Sequence, residues 1–129
     1  MFNADQYWIT IAEVKGFTQA ADEVFTIEER DTLVEFLALY PLAGEVIPDT
    51  NGVRRIKWSA TNQGGRGGAN VVYFFRDLNT PVYLLALYRK GENMKLSNWE
   101  KREIRRLVKD IIDTYGIKHL IQFASNGAA

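Results

Sequence analysis

The sequence predicts an α+β fold with the element order β-α-α-β-β-β-α. Three observations lead there. One aromatic and β-branched stretch near the start precedes two helical segments. Three strand-like segments then succeed one another with only loops or turns between them, and one amphipathic helix comes last. A chain of 129 residues and 14.7 kDa suits a single domain with one core. That domain is expected over residues 1–129, with its core at about 7–116 and a tail, 117–129, that carries no assigned element.

Each element has its own local reason. Tyr7 to Val14 (YWITIAEV) is aromatic and β-branched and reads as a strand. Thr18 to Val24 is short and helix-compatible. Thr26-Ile27-Glu28-Glu29 has the form of a capping box, and Leu33, Phe36, Leu37 and Tyr40 recur at helical spacing until Pro41 stops the run. Residues 41–52, with Pro41, Gly44, Pro48 and Gly52, read as an irregular connection. Val53 to Ser59 alternates loosely, with Val53, Arg55 and Lys57 on one face and Arg54, Ile56 and Trp58 on the other. The loop Thr61 to Gly68 leads into a strand from Ala69 to Arg76, and Asp77 to Pro81 makes a turn. Val82 to Tyr88 (VYLLALY) is apolar almost throughout, as in a central strand buried on both faces. A second capping box, Ser97-Asn98-Trp99-Glu100, opens the last helix. Its Ile104, Leu107, Val108, Ile111, Ile112 and Tyr115 would face a core, Arg102, Arg105, Arg106 and Lys109 would form a basic stripe, and Gly116 is the expected end.

Composition excludes several chemistries. With no cysteine there is no disulfide scaffold, thiolate zinc site or cysteine nucleophile, and the single histidine, His119, rules out a multi-histidine metal centre. No cofactor and no metal are expected. No apolar run approaches the roughly 20 residues that span a bilayer. Met1 to Asp5 lack a basic residue, so a secretory signal is not expected and a reducing, cytoplasmic setting is. The formal net charge of zero conceals a lopsided distribution. Residues 1–51 hold two basic and ten acidic side chains, residues 52–109 thirteen and four, and residues 110–129 one and two. A concentrated cationic segment suits a polyanion such as nucleic acid; equally, the acidic half could fold against it and cancel it.

Two constellations could carry chemistry. Gly64-Gly65-Arg66-Gly67-Gly68 is either a flexible hairpin tip with an exposed arginine or a loop that lets a backbone approach a ligand closely while Arg66 offers a planar fork to phosphate oxygens. It is no Walker loop, because no G-K-[ST] follows and the next element is a strand. If neighbouring strands align them, Arg55 and Lys57 on one strand face, with Arg89 and Lys90 at the end of the last strand, would together hold a phosphate, and their mutual repulsion would lower a lysine pKa. Equally, they could be a solvated sheet face. Tyr73, Tyr88 and Trp99 could stack on bases or belong to the core. The stripe around Arg102 is either solvated surface or a contact to ribosomal RNA.

In order along the chain, Tyr40 to Pro48 (YPLAGEVIP), Gly52 to Trp58 (GVRRIKW), Arg66 to Phe74 (RGGANVVYF), Leu84 to Glu92 (LLALYRKGE) and Leu96-Ser97 form five landmarks. With them, from about Val14 to Val108, the chain resembles the RelE/ParE superfamily of type II toxins, in its HigB-like, RelE-type branch. The resemblance implies a RelE-like fold, a small, twisted, mainly antiparallel sheet packed with N-terminal helices and a C-terminal helix. It also implies a metal-independent endoribonuclease that cuts mRNA in the ribosomal A site by 2′-OH attack on the adjacent phosphate. Its partners would be the ribosome, mRNA and a cognate antitoxin, expected to be a helix-turn-helix protein, with no membrane involved. Arg55, Lys57, Arg66 and Lys90 are then the catalytic candidates, and Asn70, Tyr73, Tyr88, Arg89 and Arg102 the RNA-binding ones. Gly65 and Asn70 stand where relatives often carry lysine and arginine. A ParE-like inhibitor acting by protein–protein contact on gyrase, or a degenerate toxin that binds only its antitoxin, are the alternatives.

Overall fold

The computed structural model describes residues 9–60, 68–89 and 95–127, with side chains as far as residue 114. It divides into two compact units, one of residues 1–48 and 52–95 and one of residues 49–51 and 96–129. Among the described residues the chain is α+β, with five strands and three helices.

The first unit is built on a mixed sheet. Its strands are β1 (Ile11–Glu13), β2 (Glu45–Val46), β3 (Val53–Ser59), β4 (Gly68–Phe74) and β5 (Val82–Tyr88), in the order β1-β5-β4-β3-β2. Only β1 and β5 pair parallel; the other pairings are antiparallel, as short connections require. The strands expected at residues 53–59 and 82–88 form with those bounds. The expected strand at Ala69 to Arg76 instead begins at Gly68 and ends at Phe74. The first strand is confined to Ile11–Glu13 among the described residues; Tyr7 and Trp8 lie outside them.

Helix α1 (Lys15–Val24) starts three residues earlier than its sequence suggested. Val14, its N-cap, offers no side-chain oxygen, so no local signal marks the start. Helix α2 (Ile27–Leu39) forms where the capping box placed it. Thr26 Oγ1 accepts the Glu29 N–H at 3.1 Å while Glu29 Oε1 accepts the Thr26 N–H at 2.9 Å. Phe17, Ala21 and Val24 of α1 and Leu33 and Leu37 of α2 are buried with Ala69, Val71, Tyr73, Val82 and Leu84 of the sheet. Burying a side chain such as Phe17 or Leu33 contributes about 1.5–3 kcal/mol. Arg30 of α2 ties this layer together, donating to Glu13 at the end of β1 and to Asp22 of α1. Hydrogen bonding to Glu13, the largest influence, raises its guanidinium pKa further.

Two expectations about this unit need correction. Residues 41–52 are not wholly irregular, because β2 pairs with β3 through Glu45↔Arg55 and Val46↔Arg54. Two residues are too few to show a period, so sequence patterning had nothing to register. Strand β5 is internal, as expected, yet only its first half is buried: Val82, Leu84 and Leu85 are, whereas Leu87 and Tyr88 are half-buried.

The second unit contains α3 (Asn98–Gly127). Ser97 and Glu100 form the second capping box, with reciprocal bonds of 3.1 and 3.0 Å. The helix does not stop at Gly116. Gly52 is the one glycine of positive φ among the described residues, so Gly116 does not adopt the left-handed conformation that ends a helix. Inside a helix glycine costs only about 1 kcal/mol relative to alanine, and the turns continue through it. On the face expected to be apolar, Val108 is buried and Leu107 is exposed; the side chain of Tyr115 lies outside the described residues, as does that of His119. No helix among the described residues is long and apolar enough to cross a membrane.

Candidate nucleic-acid interface

Strand periodicity puts Arg55 and Lys57 together, and both are exposed. Their neighbours Arg54, Ile56 and Trp58 alternate to the helix-covered side. There Trp58 Nε1 donates to the Glu29 carbonyl at 2.9 Å and its ring packs against Phe36. Antiparallel register then extends the outer face across the sheet. Lys57 lies opposite Asn70, and Asn70 opposite Tyr88, forming one row; Arg55, Val72 and Ala86 form the next.

A β-bulge decides which side Tyr88 takes. The pairing passes from Val72↔Ala86 to Tyr73↔Leu84, leaving Leu85 as an extra residue on β5. A regular strand would have put Tyr88 on the same face as Val82 and Leu84, which belong to the core. With the bulge, Tyr88 turns to the face of Lys57 and Asn70.

The rim of this face is set by the segment before β2. The Tyr73 hydroxyl donates to the Pro41 carbonyl and accepts the Gly44 N–H, both at 2.8 Å. The Arg54 guanidinium donates to the carbonyls of Leu42 at 3.2 Å and Gly44 at 2.7 Å. Gly44 approaches so closely that an added Cβ would lie 2.7 Å from the Arg55 carbonyl oxygen and 2.7 Å from the Tyr73 hydroxyl. Held this way, β2 sets Glu45 opposite Arg55 in an exposed ion pair of 3.5 Å. Exposed pairs of this kind contribute at most about 1 kcal/mol, so Glu45 orients Arg55 more than it stabilises the fold. A depression of about 480 Å³ results, lined by Gly44, Glu45, Arg55, Lys57 and Asn70 among others. Lys57 has no hydrogen-bond or ion-pair partner among the described residues. At Gly68 a Cβ would come within 2.5 Å of the Trp58 carbonyl oxygen and 3.0 Å of Lys57 Cγ, so only glycine lets β4 begin against the Lys57 stem.

Arg55, Lys57, Asn70 and Tyr88 are thus brought together. The remaining candidates among the described residues do not join them. Tyr73, an RNA-binding candidate that could stack on a base or belong to the core, is fully buried in the core with its hydroxyl engaged, so its ring has no face to offer. Arg89 follows Tyr88 and falls on the α1 side, where it pairs with Glu23 at 2.7 Å. Arg102 is exposed in the second unit, on α3. Arg66 and Lys90 lie outside the described residues. Sequence reasoning missed Glu45 and Arg54, and left Tyr73 open between stacking and core, because their roles come from contacts across the chain.

Burial raises the phenol pKa of Tyr73 above its ordinary value, against the opposing effects of the Gly44 hydrogen bond and the Arg54 charge. Tyr73→Phe leaves the Gly44 N–H and the Pro41 carbonyl without this partner. The variant is therefore expected to lose about 1–3 kcal/mol at neutral pH, read by denaturant unfolding. Because the folded-state pKa is the higher one, the contribution of this group is complete below the unfolded value near 10 and declines as pH rises through the folded value. The gap between parent and variant should accordingly narrow above about pH 10.

No family model matches the chain. Fold and site together define a mixed-sheet α+β unit that displays an exposed cationic pair, an amide and a phenol on one sheet face.

Proposed function

We propose that the chain is the toxin of a type II toxin–antitoxin module, a HigB-like member of the RelE/ParE superfamily with a RelE-like fold, acting as a ribosome-dependent, metal-independent mRNA endoribonuclease in the cytoplasm. The observation that carries this reading is the row Lys57–Asn70–Tyr88 beside Arg55, on an open face where Lys57 has no competing partner among the described residues. Such a face offers what 2′-OH chemistry on RNA needs. Lys57 and Arg55 would neutralise the phosphate oxygens as the 2′-oxygen attacks phosphorus, the 2′-proton departs to a base and the 5′-oxygen leaves with a proton. Asn70 would donate a hydrogen bond, and the half-exposed Tyr88 would support a base or sugar. DNA, lacking the 2′-OH, is not a substrate of this chemistry.

One feature favours a second reading, a ParE-like inhibitor acting by contact alone. Asn70 brings no charge to the centre of the row, and Glu45 already engages Arg55. Inducing the chain alone in a bacterium is expected to arrest growth, with rescue by a co-expressed helix-turn-helix antitoxin. Sequencing of mRNA 5′ ends after induction should show new ends within translated frames. Arrest without new ends would support the contact inhibitor, and normal growth at verified expression would support a degenerate toxin.

A further inference from the structure

The second unit carries a cationic cavity of its own. It measures about 530 Å³ and is lined by Asp49, Asn51, Asn98, Lys101, Arg102 and Arg105. Among the described lining residues Lys101, Arg102 and Arg105 face one carboxylate, that of Asp49, which leaves two positive charges in excess. Lys101 Nζ stands 3.9 Å from the Asp49 carboxylate, and Arg105 Nη1 donates to the Asp49 carbonyl at 2.6 Å. Those contacts fix two of the cations. Arg102 is exposed and has no polar partner among the described residues. The N–H groups at the start of α3 are not the attraction here, since the Ser97–Glu100 box already engages that helix end.

From this arrangement we infer that the cavity is a second RNA contact, which grips a phosphodiester backbone without reading sequence. The lining explains both halves of that statement. Arginine forks and an ammonium match the tetrahedral oxygens of a phosphate, with the Asn51 and Asn98 amides as further donors. Among the described residues no aromatic side chain lines the cavity, so they offer no platform on which to stack a base. Its volume is ample for a backbone unit with its sugar. Arg102 is the ligand-seeking group, and Lys101 and Arg105 are fixed supports. The inference shares with the proposed function only that the polyanion is RNA, and it requires no cleavage.

The test uses the full chain and a short, labelled, 2′-O-methylated RNA that cannot be cut. Binding is measured by fluorescence anisotropy over a salt series. Arg102→Gln removes the one lining cation without a polar partner among the described residues. It is expected to lower the slope of log K against log salt by about 0.7, the value for one phosphate on a single strand, and to weaken binding about fivefold at roughly 0.1 M salt. Arg102→Lys should keep most of the slope. Arg106→Gln, an exposed change on the same helix outside the cavity, should leave it unaltered. The inference is overturned if Arg102→Gln binds like the parent, or if Arg106→Gln matches its effect, which would mean diffuse surface charge. Inorganic phosphate provides the other arm. If phosphate perturbs the Arg102 and Arg105 side-chain resonances while RNA does not, the cavity is a small-oxyanion site and the RNA assignment fails. Loss of cleavage in a Lys57 variant reports on the sheet face alone, so the two readings fail separately.

Discussion

Lys57→Ala is expected to slow cleavage of ribosome-bound mRNA by about 10²–10³-fold, equivalent to roughly 3–4 kcal/mol of transition-state stabilisation. The size follows from where the charge acts. An ammonium already placed on a sheet, with no partner among the described residues, needs no reorganisation when negative charge develops on the phosphate oxygens. The same residue is exposed, so its removal should alter folding stability by no more than about 0.5 kcal/mol. Arg55→Ala should behave similarly in rate, with the added release of Glu45 from its 3.5 Å pairing. Lys90→Ala carries the same expectation from the family resemblance. Single-turnover cleavage on programmed ribosomes, with thermal unfolding in parallel, decides the matter. A Lys57 variant that cleaves at the parent rate, or fails only because it unfolds, removes the sheet face from the chemistry.

Gly44→Ala should produce a large loss of stability for a single added methyl group. Its Cβ would sit 2.7 Å from the Arg55 carbonyl oxygen, 2.7 Å from the Tyr73 hydroxyl and 2.8 Å from the Tyr73 ring. None of these can retreat cheaply. The carbonyl belongs to β3, and the ring is fully buried and bonded to Pro41 and Gly44. Overpacking of a close-packed site costs about 1–3 kcal/mol, and a strained Tyr73 clamp adds to it, for an expected total of about 2–4 kcal/mol. Gly16→Ala provides the contrast. Nothing lies within 4 Å of its Cβ and it sits in α1, so it should be neutral or stabilising by up to about 1 kcal/mol. Denaturant unfolding of both variants measures the difference. Because the Gly44 clash also displaces the strand that carries Arg55, residual folded Gly44→Ala should cleave slowly, as misplacement of about 1 Å can cost roughly 10²-fold. Equal stability of the two glycine variants would show that the Pro41–Gly44 segment does not hold the rim of the site.

The features legible in the residues alone are local or strictly periodic. Both capping boxes form because their partners are three residues apart, within reach of any chain that begins a helix there. Arg55 and Lys57 share an exposed face because β3 has a period of two, and Val82 to Tyr88 forms a strand because its apolar residues bury best there. The tertiary structure decided the rest. Strand β2 exists through clamps from Tyr73 and Arg54, residues 29 and 10 positions from Gly44. Tyr73 could have been read as a stacking ring or as core; the pairing of β4 between β3 and β5, together with α1 and α2, put it in the core. Tyr88 reached the outer face only because Leu85 bulges, a slip in pairing that no periodic pattern encodes. Gly116, a stop signal in isolation, was overridden by the helix that continues around it. Short-range bonds and regular repeats act at fixed sequence separations and are therefore legible, whereas clamps, bulges and the choice of face depend on which distant strands meet.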